Sequence, residues 1–161
     1  MLSRLTRQLC AMAALAPMFI ISTGTLADET WAMLEGRWSG VGTIELDGGG
    51  SERLKCQAIY RNEAVGHVAQ RLTCVGASYR IDGGADLIFE GNRLTGTWTE
   101  RSYAVGGGLA GSARDGLMAF KIDAPTFSGS VSIEVQRCRQ TISIDLADTI
   151  IERVVAGLRR C

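Results

Sequence analysis

The side chains of this 161-residue chain best suited to chemistry are one histidine, five cysteines and a scatter of carboxylates. His67 is the only imidazole, so neither a Ser-His-Asp nor a Cys-His set can be assembled around a general base. It opens an apolar segment, where an exposed or hydrogen-bonded histidine is expected, and no partner stands at a metal-ligand spacing from it. Asp82 and Asp86 flank a glycine pair and read as a solvated rim rather than a carboxylate dyad. Glu100-Arg101, beside Trp98, reads as an internal charge pair. The glycine runs 48–50 and 106–108 are not followed by Gly-Lys-Ser/Thr, so they are turns rather than phosphate loops. No catalytic residue, metal or cofactor is assigned. A non-enzymatic protein is the preferred reading, with hydrolysis the one enzymatic class left open.

The cysteines speak of compartment rather than catalysis. Met1–Gln8 carries Arg4 and Arg7 and no acid, Leu9–Ile21 is an apolar run, and Thr25-Leu26-Ala27 supplies small residues where a signal peptidase reads them. This three-part pattern predicts a secretory signal over 1–27, cleaved after Ala27, with an apolar core too short to span a membrane. Cys10 precedes the apolar core, which argues against lipoprotein attachment. The mature chain, 28–161, is then one soluble domain in the periplasm or outside the cell. It keeps 15 basic residues against 17 acidic ones, a net charge of −2, with no basic block to bind nucleic acid. It also keeps Cys56, Cys74, Cys138 and Cys161, an even number suited to an oxidising compartment. Four cysteines allow three connectivities, and sequence alone does not choose; adjacency favours 56–74 and 138–161 as structural disulfides.

The stretches that must position these residues alternate with period two. In Leu34–Leu46, Trp38, Gly40, Gly42, Ile44 and Leu46 share a face opposite Arg37, Ser39, Thr43 and Glu45. A short helical turn over Asp28–Gly36 leads into it. Glu52–Arg61 and His67–Val75 alternate likewise and put Cys56 and Cys74 on the apolar faces of successive strands. Tyr79–Asp82 and Asp86–Glu90 flank Gly83-Gly84, a hairpin signal. Arg93–Arg101 places Leu94, Gly96 and Trp98 together, and the glycine-rich Val105–Ala113 is a bent strand or a loop. Leu117–Asp123, then Phe127, Gly129, Val131, Ile133 and Val135, and then Gln140–Leu146 continue the pattern. In the tail, 148–160, Ile150, Ile151, Val154, Val155 and Leu158 fit a helix face or a final strand. A strand is preferred because it closes the sheet edge and brings Cys161 beside Cys138. The fold expected is all-β: a single antiparallel up-and-down barrel of about 8–10 strands.

Gly36-Arg37-Trp38, opening the first strand after a turn, resembles the Gly-x-Trp start of lipocalin and other calycin barrels. That resemblance implies a Trp at the closed end packed on an Arg of the last strand, a part for Arg159 or Arg160. Gly36-x-Trp38-x-Gly40-x-Gly42 is also similar to the opening of nitrobindin-like barrels, which hold haem through a histidine; the lone His67 does not carry that property over. A third likeness, through the Gly-x-Trp start and the early Cys56 and Cys74, is to small periplasmic metalloprotease inhibitors. The broadest resemblance is to a family of exported alphaproteobacterial proteins. It rests on Gly36-x-Trp38-x-Gly40-x-Gly42, Cys56-x-x-x-Tyr60, Cys74 before Ala77-Ser78-Tyr79, Gly96-x-Trp98-x-Glu100 and Cys138-Arg139-Gln140. It implies a fold and an exported address and brings no activity.

Two functions follow as expectations. In the first, the barrel holds a small apolar or amphipathic ligand, with Trp38, Tyr60, Trp98 and Phe120 as candidate ligand-binding residues. In the second, its outside binds an envelope protein, as a protease inhibitor or envelope-maintenance factor would, through Gly106–Gly116.

Overall fold

A computed structural model describes residues 30–161. The expected signal segment, 1–27 with cleavage after Ala27, lies outside the described residues, as does Cys10. A single helical turn, Thr30–Ala32, precedes the first strand. Ten strands follow: β1 (Gly36–Leu46), β2 (Ser51–Ala64), β3 (His67–Val75), β4 (Arg80–Glu90), β5 (Arg93–Glu100), β6 (Val105–Arg114), β7 (Leu117–Asp123), β8 (Ser128–Gln136), β9 (Arg139–Ala147) and β10 (Ile151–Arg159). Each pairs antiparallel with the next, and β10 pairs with β1 to close the barrel. The fold is therefore an all-β, up-and-down barrel of ten strands, with no unpaired sheet edge.

Period-two alternation decides which side chains fill it. In β7, Met118, Phe120 and Ile122 are buried while Leu117, Lys121 and Asp123 face out. In β8, Val131, Ile133 and Val135 are buried between exposed serines and Glu134. The tail is strand: β10 sets Val154 opposite Ile44 and Leu158 opposite Gly40, with Val154, Ala156 and Leu158 inward. A helix there would have left the edges of β1 and β9 unpaired.

Two glycine segments behave differently from a turn. Gly83-Gly84, expected to be a hairpin, lies within the continuous strand β4, and neither glycine takes positive φ. A tight hairpin would have required that backbone conformation, and here the residues serve by lacking side chains. Val105–Ala113 belongs to β6, where Gly107 is paired with Trp98. A Cβ at Gly107 would sit 2.1 Å from the Asp123 carbonyl oxygen, so the glycine is required by the close approach of the β7 backbone.

Cys56 and Cys74 are directly opposed in β2 and β3 and form a buried disulfide; Cys138 and Cys161 form a second. Each such loop closure stabilises by roughly 3 kcal/mol in the chain-entropy picture. The first bridge needs Gly42: a Cβ there would lie 2.7 Å from the Val155 carbonyl oxygen and 3.1 Å from the Cys56 sulfur. Backbone oxygen and a bridged sulfur cannot step aside as a flexible side-chain tip would. Gly42→Ala is expected to destabilise the fold by about 1–3 kcal/mol, read as an earlier urea midpoint.

Candidate functional site

The two ends of the barrel differ. At one end the helical turn tucks under the sheet, with the Gly116 amide donating to the Thr30 hydroxyl. Trp38 is fully buried there and donates its indole N–H to the Leu34 carbonyl at 2.8 Å. The Arg160 guanidinium lies 4.5 Å from the Trp38 ring centroid and donates to the carbonyls of Met33 and Glu35, both at 2.9 Å. Arg159 is exposed on the outer face of β10. The Cys138–Cys161 bridge ties the residue after Arg160 to the β8–β9 turn, which keeps the guanidinium over the ring.

At the same end Tyr60, paired with Gly36, is buried and accepts a hydrogen bond from the Gln140 amide at 3.0 Å. Burial raises the Tyr60 pKa well above the usual phenol range, against the smaller opposing effect of the Gln140 and Gln70 hydrogen bonds. The phenol is therefore neutral at physiological pH.

The other end opens into a cavity of about 490 Å³. Leu72, Ile81, Phe120, Ile122, Ile133 and Ile142 contribute to its walls, and Gly83 and Ala85 leave the β4 side low. Trp98 and Phe127 pack tilted against each other in the wall, with ring centroids 5.7 Å apart. The Trp98 N–H is buried without a protein acceptor. Polar groups gather at the rim, where Glu100 ends β5, Tyr103 comes from the β5–β6 connection, and Asp148 and Thr149 from the β9–β10 connection.

The rim is braced from outside. Asp82 accepts from Arg71 at 3.2 Å and from Arg101 at 3.0 Å, joining β3, β4 and the β5–β6 turn. The Glu100 carboxylate accepts the backbone N–H of Asp82 at 2.6 Å and of Tyr103 at 2.7 Å. Burial works to raise the Asp82 pKa, but hydrogen bonds and charge from Arg71 and Arg101 outweigh it and hold the carboxyl below its ordinary range. A depressed folded-state pKa means the brace is complete above the unfolded carboxyl's pKa and is lost as pH falls through the folded value. Asp82→Asn is expected to lower stability by about 1 kcal/mol at pH 7, with the gap closing below about pH 4. Urea unfolding at pH 7 and pH 3 reads this directly.

Of the four aromatic residues singled out in the sequence, the structure brings Trp98 and Phe120 together on the cavity wall. Trp38 and Tyr60 lie outside that lining, packed toward the closed end. Phe127 and Tyr103 complete the aromatic part of the site. Phe127 had a signal, since it heads the alternation that runs through Val131; Tyr103 had none, being in a turn. Among the described residues no three His, Cys, Asp or Glu side chains converge as a metal site. No helix among them is long and apolar enough to cross a membrane. A second hollow of about 350 Å³ lies on the outer wall, and Arg61, Glu63, Arg71, Asp86 and Arg101 make it strongly charged.

No family model matches the chain, and no curated protein does. Solved structures do. The S-type phycobiliprotein lyase CPES from Guillardia theta superposes with a TM-score of 0.63 at 11% identity, over 90% of this chain and 98% of that one. EF1p2_mFAP2b, solved bound to DFHBI, superposes with a TM-score of 0.52 at 10% identity, over 84% of this chain and 99% of that one. The fold they share with this chain is a closed β-barrel. At these identities the likeness is one of backbone, and the side chains of the site must speak for this chain alone.

Proposed function

We propose that this protein is a non-enzymatic binding protein, exported to an oxidising compartment, that holds a small apolar or amphipathic molecule in its barrel. The observation that carries this reading is the cavity of about 490 Å³, which opens at one end and is walled largely by hydrocarbon and aromatic side chains. That size lies within the usual range of small-molecule pockets, and burying an apolar ligand there gains about 25 cal/mol per Å² of surface withdrawn from water. A few polar groups at the rim suit the orientation of an amphipathic molecule. One neighbour in fold, EF1p2_mFAP2b, was solved bound to DFHBI, and it lends support by analogy only. The two disulfides support the exported address.

Titration with the neutral dye N-phenyl-1-naphthylamine, which brightens in apolar surroundings, tests this reading. One saturable equivalent, released when urea unfolds the barrel, is expected. A response that is absent or never saturates would contradict it.

A further inference from the structure

We infer that the cavity selects by charge, taking an apolar molecule that carries a cationic head and rejecting the same molecule with an anionic one. This rests on the cavity reading above and names the ligand class for it. Among the described residues of the lining, the ionisable side chains are Glu100, Tyr103 and Asp148, and none is a Lys, Arg or His. Arg71 and Arg101 line the outer hollow and are engaged with Asp82. Arg153, on the exposed face of β10, pairs with Asp145 at 3.2 Å.

An anionic head entering this opening would shed water without meeting a counter-charge, and it would approach two carboxylates. A cationic head meets the opposite field. The Glu100 carboxylate is held in place by two backbone N–H groups, which use two of about four acceptor positions and leave the others for a donor. The Tyr103 hydroxyl is held above its ordinary pKa, first by burial and then by the Glu100 charge. Below the rim, the faces of Trp98 and Phe127 suit the periphery of an ammonium group and the hydrocarbon that follows it.

Displacement of bound N-phenyl-1-naphthylamine by three ligands with the same ten-carbon chain tests this: decyltrimethylammonium, decanol and decanoate, each below its micelle concentration. The cation is expected to displace the dye at a concentration at least about tenfold lower than decanoate, with decanol between, for a charge near two carboxylates at a half-solvated rim. Glu100→Gln should narrow that gap, and Asp148→Asn, in an exposed turn, serves where the first variant does not fold. High salt should narrow it too. Decanoate displacing the dye as well as the cation would overturn charge selection while leaving the cavity reading standing. Failure of the dye to bind at all would overturn both.

Discussion

Gly83→Leu is expected to empty the barrel of ligand while leaving it folded. Gly83 lines the cavity, and a Cβ added there would meet nothing closer than 3.9 Å, the carbonyl oxygens of Leu72 and Thr99. Its φ is not positive, so a side chain brings no backbone strain. The isobutyl group would take the volume that an apolar ligand needs, and losing about 3 kcal/mol of apolar burial corresponds to roughly a hundredfold in Kd. Dye titration should show that loss, with the urea midpoint close to that of the parent. Gly108→Leu is the control, since Gly108 is exposed on β6 and a Cβ there touches nothing within 4 Å. Unchanged dye affinity in Gly83→Leu would place the binding site elsewhere.

The largest effect on stability is expected at the opposite end. Trp38→Ala removes a fully buried indole together with its hydrogen bond to Leu34, and it strips Arg160 of the ring beneath it. Large-to-small truncations of this kind cost about 3–5 kcal/mol. Arg160→Ala should cost about 1–2 kcal/mol, since it loses the stacking contact and two carbonyl partners in a partly solvated setting. Because each residue supports the other, the double variant should cost less than the two single effects added. Trp38 lies outside the cavity lining, so the folded fraction of Trp38→Ala should bind the dye with near-parental affinity. Urea unfolding followed by dye titration separates these effects, and a stable Trp38→Ala would deny the closed end its role as the anchor of the barrel.

The sequence was most legible where alternation was clean and β-branched. The run from Phe127 through Val135 and the opening at Trp38 announce strands because their inward and outward residues differ in kind. Cys56 and Cys74 could be placed on facing strands for the same reason. Legibility failed at Gly83-Gly84, because glycine accepts both the left-handed turn and the extended strand, and no neighbouring side chain declares which. The tail was ambiguous because residues such as Val154, Val155 and Leu158 satisfy a helical stripe and a strand at once. Only the pairing with β1 and β9 decides between them.

The site was half legible. Trp98 and Phe120 are large and alternate inward, so they stood out as candidate lining residues. What sequence does not encode locally is which part of a ten-stranded interior is filled and which is hollow. Trp38 and Tyr60 look like cavity residues by type, yet they fall at the floor because Arg160 and Gln140 arrive from the far end of the chain. The rim carboxylate Glu100 looked like one half of a charge pair with Arg101. In the barrel its partners are backbone amides, and Arg101 serves Asp82 instead.

The most direct measurement is native mass spectrometry on protein purified without denaturant from the organism that makes it, followed by denaturing analysis of whatever is released. One reproducible small molecule per barrel is expected, lost on unfolding and absent from Gly83→Leu prepared in the same way. A barrel that is always empty, with neither the parent nor Gly83→Leu gaining mass in the presence of the native extract, would contradict it.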